Sequence, residues 1–223
     1  MSRHRRKLWI AVCLLSAGIG NVAAQNWPDS PISRLEALAL LQSLNANLLS
    51  HDSATATLEQ WCADHHLAFP AQVIAVRVSN IDKPAGDEQR RILQVTPAQE
   101  VRYRRVKLVC GTVELSDADN WYVPSRLTAQ MNQQLDFTDT PFGKVVRPLH
   151  FQRHTISAEL LWWPLLPGWE TKSKLPARAG RQLAVPDSVL EHRAVLSLPD
   201  GTPFSEVVES YQRTILGFSL PAP

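Results

Sequence analysis

Two adjacent arginines and a distant glutamate are the side chains of this chain best suited to hold an organic anion. Arg104 and Arg105 lie in a run that alternates like a β-strand, so one guanidinium should face each side of a sheet. The inward one is a candidate clamp for a carboxylate, because a planar guanidinium suits that group; otherwise it forms a structural ion pair. Glu209, in a later predicted strand, is either a solvated edge residue or a polar group directed into a pocket.

The other polar residues show no familiar catalytic or metal-binding pattern. The sequence contains no glycine-rich phosphate loop, no Gly-x-Ser-x-Gly motif and no His-Glu-x-x-His motif. His150 and His154 are four residues apart, but no carboxylate or cysteine set accompanies them. Because a metal site needs such further ligands, we expect no bound metal.

The N-terminal residues follow the order of a secretory signal peptide. A basic head from Arg3 to Lys7 precedes an apolar run from Leu8 to Ile19 that is too short to span a bilayer, and small residues follow at Val22 to Ala24. We expect residues 1–24 to be removed and the mature protein, from Gln25, to be periplasmic or secreted. An uncleaved anchor is the alternative, and the export route is either the general secretory or the twin-arginine one.

Removal of this leader would change the charge balance. The leader holds four of the 23 lysines and arginines and none of the 21 acidic residues, so the formal net charge falls from +2 to −2. A nucleic-acid partner would need a basic face that survives maturation, and we expect none. Roughly 200 residues are enough for one domain with a sizeable core. No later apolar stretch has spanning length, so we expect no membrane association after cleavage.

The cysteines point to one pairing without settling it. Cys13 leaves with the leader, and Cys62 and Cys110 remain as an even pair in a compartment that permits disulfides. They form either a disulfide between a helix and a strand or two buried free thiols.

Apolar periodicity predicts helices first and strands afterwards. Ser30-Pro31 opens a helix that runs to about Leu48, and a second helix spans about 53–65. Together they make a helical hairpin within residues 25–69.

The segment 70–223 is predicted to be mainly β. Short helices are expected after Ser125 and after Thr140-Pro141, and a loop is expected over 80–89. The predicted strands are 71–78, 101–110, 112–115 with 121–124, 151–162, 189–198 and 204–216. The fold class is therefore α+β: one domain with a mainly antiparallel sheet of about six strands, an N-terminal helical hairpin and short mid-chain helices.

The most apolar stretch of the mature chain, residues 160–169 (LLWWPLLPGW), is interrupted by prolines. It is a lid over a hydrophobic ligand, a partner-binding patch or a loop that covers the core.

Four stretches occur in the order seen in chorismate lyase, and together they resemble that family and the related ligand-binding domain of GntR-type regulators. They are YRRVKLVC at 103–110, NWYVP at 120–124, TPFG at 140–143, and DGTP at 200–203 leading to Glu209-Ser210-Tyr211. The resemblance covers about 95–216. It implies a six-stranded antiparallel sheet flanked by helices and a closed pocket. It also implies elimination of pyruvate from chorismate to leave 4-hydroxybenzoate, with no metal or organic cofactor.

The resemblance also implies roles for four residues. Arg105 matches the arginine that binds the aromatic carboxylate, and Phe142 matches the position whose backbone contacts the ligand. Glu209 matches the glutamate near the breaking ether and would be the catalytic acid. Asn120 stands where the lyase has a second arginine, so it would be a neutral hydrogen-bond partner of the substrate.

Three functions follow from these observations. The leading hypothesis is an exported lyase acting on chorismate or a related cyclic carboxylate. The second is a non-catalytic periplasmic binding protein for a small aromatic carboxylate. The third is an interaction protein that uses the 160–169 loop; the sequence leaves the ligand and the oligomeric state open.

Overall fold

The computed structural model describes residues 27–171 and 182–218. The predicted signal peptide, 1–24, lies outside these residues. Within them, no helix is both long and apolar enough to cross a membrane.

Two helices begin the described chain, and a serine caps each of them. Helix α1 (Pro31–Ser50) starts after Ser30, whose hydroxyl accepts a bond from the amide of Ser33 at 3.1 Å. Helix α2 (Ala54–Asp64) starts after Ser53, which accepts from the amide of Ala56 at 3.2 Å. Both helices agree with the sequence prediction to within two residues at each end.

Six strands form one sheet. They are β1 (Val73–Arg77), β2 (Arg102–Cys110), β3 (Val113–Tyr122), β4 (Gln152–Leu160), β5 (Ser188–Ser197) and β6 (Pro203–Gln212). The order across the sheet is β1-β2-β3-β6-β5-β4, and every neighbouring pair is antiparallel. The α+β class and the six-stranded antiparallel sheet are therefore confirmed.

The mid-chain helices differ in part from the prediction. Helix α3 (Asp87–Ile92) was not predicted and begins within the expected loop 80–89. Leu93, just after it, packs on the outer face of the sheet. Helix α4 (Ala129–Phe137) is capped by Thr128 rather than Ser125, because Ser125 belongs to a short 3-10 helix. Helix α5 (Phe142–Val146) starts after Pro141, as predicted.

One strand was wrongly divided by the sequence prediction. Strand β3 is continuous, although its centre reads Asp117-Ala118-Asp119-Asn120. Only every second residue of a strand faces the core, so the others can be polar. The turn before it requires Gly111, which has φ +60° and whose added Cβ would lie 2.6 Å from the Cβ of Ala68.

Helices α1, α2, α4 and α5 cover one side of the sheet, which we call the inner face. The largest core cluster joins α1 and α2 to β1, β2 and β3, so the helical hairpin and the sheet share one core. Cys62 of α2 and Cys110 of β2 are both fully buried and form a disulfide in the structure. This bond ties the hairpin to the sheet.

The apolar 160–169 stretch is divided between core and surface. Leu165 is 1% exposed, whereas Trp163 and Leu166 are 51% and 65% exposed. The stretch is anchored to α1 where Arg34 donates to the carbonyl oxygen of Pro164 at 2.8 Å. It therefore covers the core and also presents apolar side chains to solvent.

Candidate ligand-binding site

A small cavity lies between the inner face of the sheet and the N-terminal ends of α2 and α5. Its volume is about 40 Å³, which is room for roughly three water molecules. We call it the inner cavity. The lining residues are Asp52, Ser53, Ala54, Thr55, Arg104, Val106, Leu108, Ala118, Asn120, Phe142, Gly143, Phe151, Arg153, Leu196, Val207 and Glu209.

The helices can approach this closely because of Gly143. A Cβ at this position would lie 3.3 Å from Thr55 Oγ1 and 3.4 Å from Ser53 Oγ. A Cβ there would therefore require these hydroxyl groups to shift by a few tenths of an ångström.

Arg104 is the unusual residue of the cavity. It is 6% exposed, and its three guanidinium nitrogens are buried without a hydrogen-bond partner among the described residues. Burial, with a smaller contribution from the positive charge of Arg77, lowers the pKa of Arg104 to about 10. Arg104 is therefore still charged at neutral pH. Buried polar groups are nearly always satisfied, so this charge calls for an anionic partner.

Arg105, the predicted carboxylate anchor, does not line the inner cavity. It lies on the outer face and forms a two-point ion pair with Asp117, from Nε to Oδ1 at 2.9 Å and from Nη2 to Oδ2 at 2.7 Å. The hydrogen bond to Asp117 raises the pKa of Arg105. Because neighbouring side chains of a strand point to opposite faces, Arg104 takes the inward position. The assignment of Arg105 to the pocket is thus corrected to Arg104.

The other three predicted site residues, Glu209, Asn120 and Phe142, all line the inner cavity. Asn120 pairs across the sheet with Arg104 on one side and Val207 on the other, and Glu209 pairs with Ala118. Arg104 and Glu209 are thus two strands apart, which separates their backbones by at least about 10 Å.

Glu209 forms a buried ion pair with Arg153. Arg153 Nη2 lies 2.7 Å from Glu209 Oε2, and the two side chains are 4% and 8% exposed. The hydroxyl of Tyr211 donates to the same oxygen at 3.2 Å. Burial and the charge of Glu209 raise the pKa of Tyr211 well above its usual value, so Tyr211 remains a donor. No hydrogen bond from the described residues reaches the other oxygen, Oε1, of Glu209.

Asn120 and Phe142 are held by their own neighbours. Asn120 Oδ1 accepts a bond from Ser205 Oγ at 2.7 Å, which leaves the amide nitrogen of Asn120 to contact a ligand. The ring of Phe142 packs 5.6 Å from Tyr122 and 6.3 Å from Phe204, centroid to centroid. One end of the cavity is therefore aromatic.

A second space, the outer groove, lies at the edge of the sheet and has a volume of about 430 Å³. It opens where the chain leaves β1: Arg77 is the last residue of β1 paired with β2, and the amide of Val78 still donates to the carbonyl oxygen of Arg105 at 3.0 Å. Arg104 lines both spaces. The residues of the outer groove are Arg77, Val78, Ser79, Asn80, Ile81, Asp82, Val101, Arg102, Tyr103, Arg104, Arg105, Tyr122, Leu135 and Asp136.

The described part of the chain contains no group of three or more histidine, cysteine, aspartate or glutamate residues that could hold a metal ion. His150 ends a short 3-10 helix in the left-handed conformation, and His154 is exposed on β4.

A curated relative identifies the family, although no family model matches the chain. The protein called uncharacterized protein y4mC of Sinorhizobium fredii is 53% identical over 198 residues, which are 88% of this chain and 84% of that protein. The chain belongs to the y4mC family.

Solved structures similar to this y4mC-family chain include bacterial regulators. PhnF of Mycobacterium smegmatis has a TM-score of 0.48 and 13% identity, over 78% of this chain and 70% of PhnF. A GntR-family transcriptional regulator of Enterococcus faecalis has a TM-score of 0.41 and 16% identity, over 66% of this chain and 99% of the regulator. The possible transcriptional regulator YydK of Bacillus subtilis has a TM-score of 0.40 and 14% identity, over 68% of this chain and only 62% of YydK.

Two charged residues of the site in this y4mC-family chain differ from the sequence prediction: Arg104, which was a candidate but was not chosen, and Arg153, which was not predicted. Arg104 was available from strand alternation, which required one of the two arginines to face inward, but alternation alone does not say which one. Arg153 had no signal, because its partner Glu209 lies 56 residues away in sequence.

Proposed function

We propose that the protein binds a small organic anion and holds its carboxylate at Arg104. The observation that carries this proposal is the buried guanidinium of Arg104, with three nitrogens that lack a partner among the described residues. Leaving a buried charged donor unpaired costs several times more than a neutral one, so such a group persists where a ligand completes it. A planar carboxylate accepts two parallel bonds from a guanidinium, which makes it the best-matched group.

The charges around the inner cavity favour a ligand with one negative charge. Three of its charged side chains are buried: Arg104, Arg153 and Glu209. Their formal charges sum to +1, and a buried site is most stable when its charges balance. Asp52 also lines the cavity, but it is exposed, so solvent screens its charge. Asn120 adds no charge where chorismate lyase has a second arginine. A monocarboxylate therefore suits this site better than chorismate, which carries two carboxylates.

The hydrogen bonds that Glu209 already accepts favour binding over elimination. A catalytic acid must give a proton to the leaving group. Oε2 of Glu209 instead accepts bonds from Arg153 and Tyr211, and an ion-paired carboxylate is an acceptor. We infer that Glu209 acts as a hydrogen-bond acceptor in the wall of the inner cavity and sets the charge of that wall. Its catalytic role in the lyase hypothesis stays a prediction.

The binding proposal is tested with matched pairs of anions. Titration calorimetry on the full-length protein would compare 4-hydroxybenzoate with terephthalate, and gluconate with glucarate. Each pair keeps its molecular body and differs in carrying one or two carboxylates. We expect tighter binding of the monocarboxylate, and loss of that binding in Arg104→Met. Lys107→Met is the control, because Lys107 lies on the same strand, pairs with Glu114 at 2.8 Å and lines neither the inner cavity nor the outer groove. Equal binding to the Arg104→Met protein would refute the proposal.

The lyase hypothesis is tested on the same preparation. Chorismate would be added, and 4-hydroxybenzoate and pyruvate would be followed against the uncatalysed rate. Binding alone predicts no release of either product. Stoichiometric release of both, lost in Glu209→Gln, would instead establish the elimination reaction.

We also propose that the protein works outside the cytoplasm. The basic head and short apolar run of 1–24 support export. The disulfide between Cys62 and Cys110 is consistent with it, since such bonds persist in oxidising compartments. Mass spectrometry of protein from the periplasmic fraction should give an N-terminus near Gln25. An intact Met1 in cytoplasmic protein alone would contradict export.

A further inference from the structure

Arg104 borders two spaces of very different size, and the difference bears on what the ligand can be. The inner cavity has a volume of about 40 Å³, whereas a cavity that binds benzene has ~150 Å³. An aromatic ring therefore does not fit there without movement of α2 or α5. The outer groove has about 430 Å³, which falls within the range of ~300–1,000 Å³ that is usual for ligand pockets.

Positive charge is concentrated where the two spaces meet. Arg77 and Arg104 both line the outer groove, and the charge of Arg77 is felt at Arg104. The guanidinium of Arg77 donates to the carbonyl oxygens of Leu135 and Asp136. Within the described chain, no carboxylate lies within ion-pair distance of either arginine. An anionic group beside Arg104 would relieve the repulsion between the two guanidinium groups.

Most of the accessible surface of the outer groove is polar. Ser79 and Asn80 are exposed on one wall, and the carboxylates of Asp82 and Asp136 also line the groove. Asp136 also lies 3.4 Å from Arg102, but a carboxylate accepts several hydrogen bonds, so hydroxyl or amide N–H groups of a ligand body can donate to both residues. Phe142 and Phe151 line the inner cavity, whereas the aromatic residues of the outer groove, Tyr103 and Tyr122, carry a polar hydroxyl.

We propose that the ligand is an elongated polar carboxylate, with its anionic end at Arg104 and its hydroxyl- or amide-bearing body in the outer groove. This inference rests on the proposed function and narrows it, because it replaces the compact aromatic acid expected from the sequence. The inner cavity then holds at most the carboxylate itself and a few waters.

Two variants distinguish a ligand body in the outer groove from one in the inner cavity. Ser79→Trp places a large ring in the outer groove from an exposed position, where it should not disturb folding. Ala118→Leu fills the inner cavity, which Ala118 lines. Because extra methylenes can strain a core, Ala118→Val is the milder second variant, and circular dichroism would check that each protein is folded.

The measurement is calorimetric titration of each full-length protein with gluconate, N-acetylglycine and 4-hydroxybenzoate. We expect at least one of the two polar acids to bind about tenfold more tightly than 4-hydroxybenzoate. Ser79→Trp should weaken that binding about tenfold or more, and Ala118→Leu should weaken it less.

Each other outcome contradicts the inference. Tighter binding of 4-hydroxybenzoate, blocked by Ala118→Leu and spared by Ser79→Trp, would place the ligand in the inner cavity and leave Arg104-dependent binding intact. Failure of both polar acids to bind at up to about 10 mM would also overturn it. Binding of any of the three that persists in Arg104→Met would refute the proposed function as well.

Discussion

Arg153 of β4 and Glu209 of β6 form an ion pair across strand β5, with 2.7 Å between Nη2 and Oε2 and with both side chains less than a tenth exposed. The pair belongs to the wall of the inner cavity, and Tyr211 donates to the same carboxylate. A fixed ion pair of this kind sets the charge and the shape of the site before any ligand arrives.

Removing one partner of this pair should destabilise the protein strongly. Arg153→Met leaves the Glu209 carboxylate buried without its partner, and we expect the free energy of unfolding to fall by about 3–5 kcal/mol. Urea denaturation measures it. The double variant Arg153→Met/Glu209→Gln should recover much of the loss, since no buried charge is then unpaired. A double variant as unstable as the single one would show that packing rather than charge is responsible.

Replacing Arg104 should stabilise the ligand-free protein. Its guanidinium is buried without a partner, so Arg104→Met removes an uncompensated charge and should raise the free energy of unfolding by about 1–3 kcal/mol. The matched variant Arg105→Met loses a partly exposed ion pair with Asp117 and should lower it by no more than about 1 kcal/mol. Thermal denaturation without added anions compares the two. Destabilisation by Arg104→Met would mean that the guanidinium is satisfied in the free protein.

Stability should depend on pH through His192. This side chain is fully buried; burial, and then the charge of Arg153, lower its pKa from about 6.5 to about 4. Below pH 6.5 the unfolded chain binds a proton that the folded protein does not, so stability falls between pH 6.5 and 4 and is unaffected by this group above pH 6.5. Over this range, protonation of His192 in the unfolded chain lowers the free energy of unfolding by about 3 kcal/mol in total.

Denaturation at pH 7 and at pH 4.5 would measure this loss. His192→Gln can still bond to Asn45, which lies 2.8 Å from His192 Nε2, but it does not titrate. The variant should therefore show a smaller drop in stability between the two pH values. An equal drop in both proteins would assign the pH dependence to the carboxylates instead.

The disulfide should contribute measurably to stability. Cys62 and Cys110 are 48 residues apart, and closing a loop of that length stabilises by about 4 kcal/mol in the chain-entropy model. Cys62→Ser/Cys110→Ser should lose about that amount in urea denaturation. Reduction of the native protein with dithiothreitol should have a similar effect, and dithiothreitol should leave the double variant unchanged.

Local sequence patterns predicted most of the helices and strands, but they missed one helix and divided one strand. Serine caps and apolar spacing located α1 and α2, and the resemblance to chorismate lyase agreed with the six-stranded sheet. Helix α3 was missed because none of its own residues is buried, so it carries no apolar period. The division of β3 was wrong because its polar centre lies within a sheet, where pairing with both neighbours maintains the strand.

The sequence alone determined the residue types of the site and the rule that only one of Arg104 and Arg105 faces inward, because alternation is a local property of a strand. Only the tertiary structure decided which one. The register of β2 against β3 puts Arg104 beside Asn120 and directs Arg105 to Asp117 on the other face. The ion pair of Arg153 with Glu209, and the meeting of the inner cavity and the outer groove at Arg104, were also decided there. Both depend on segments far apart in sequence, which packing brings together and no local pattern encodes.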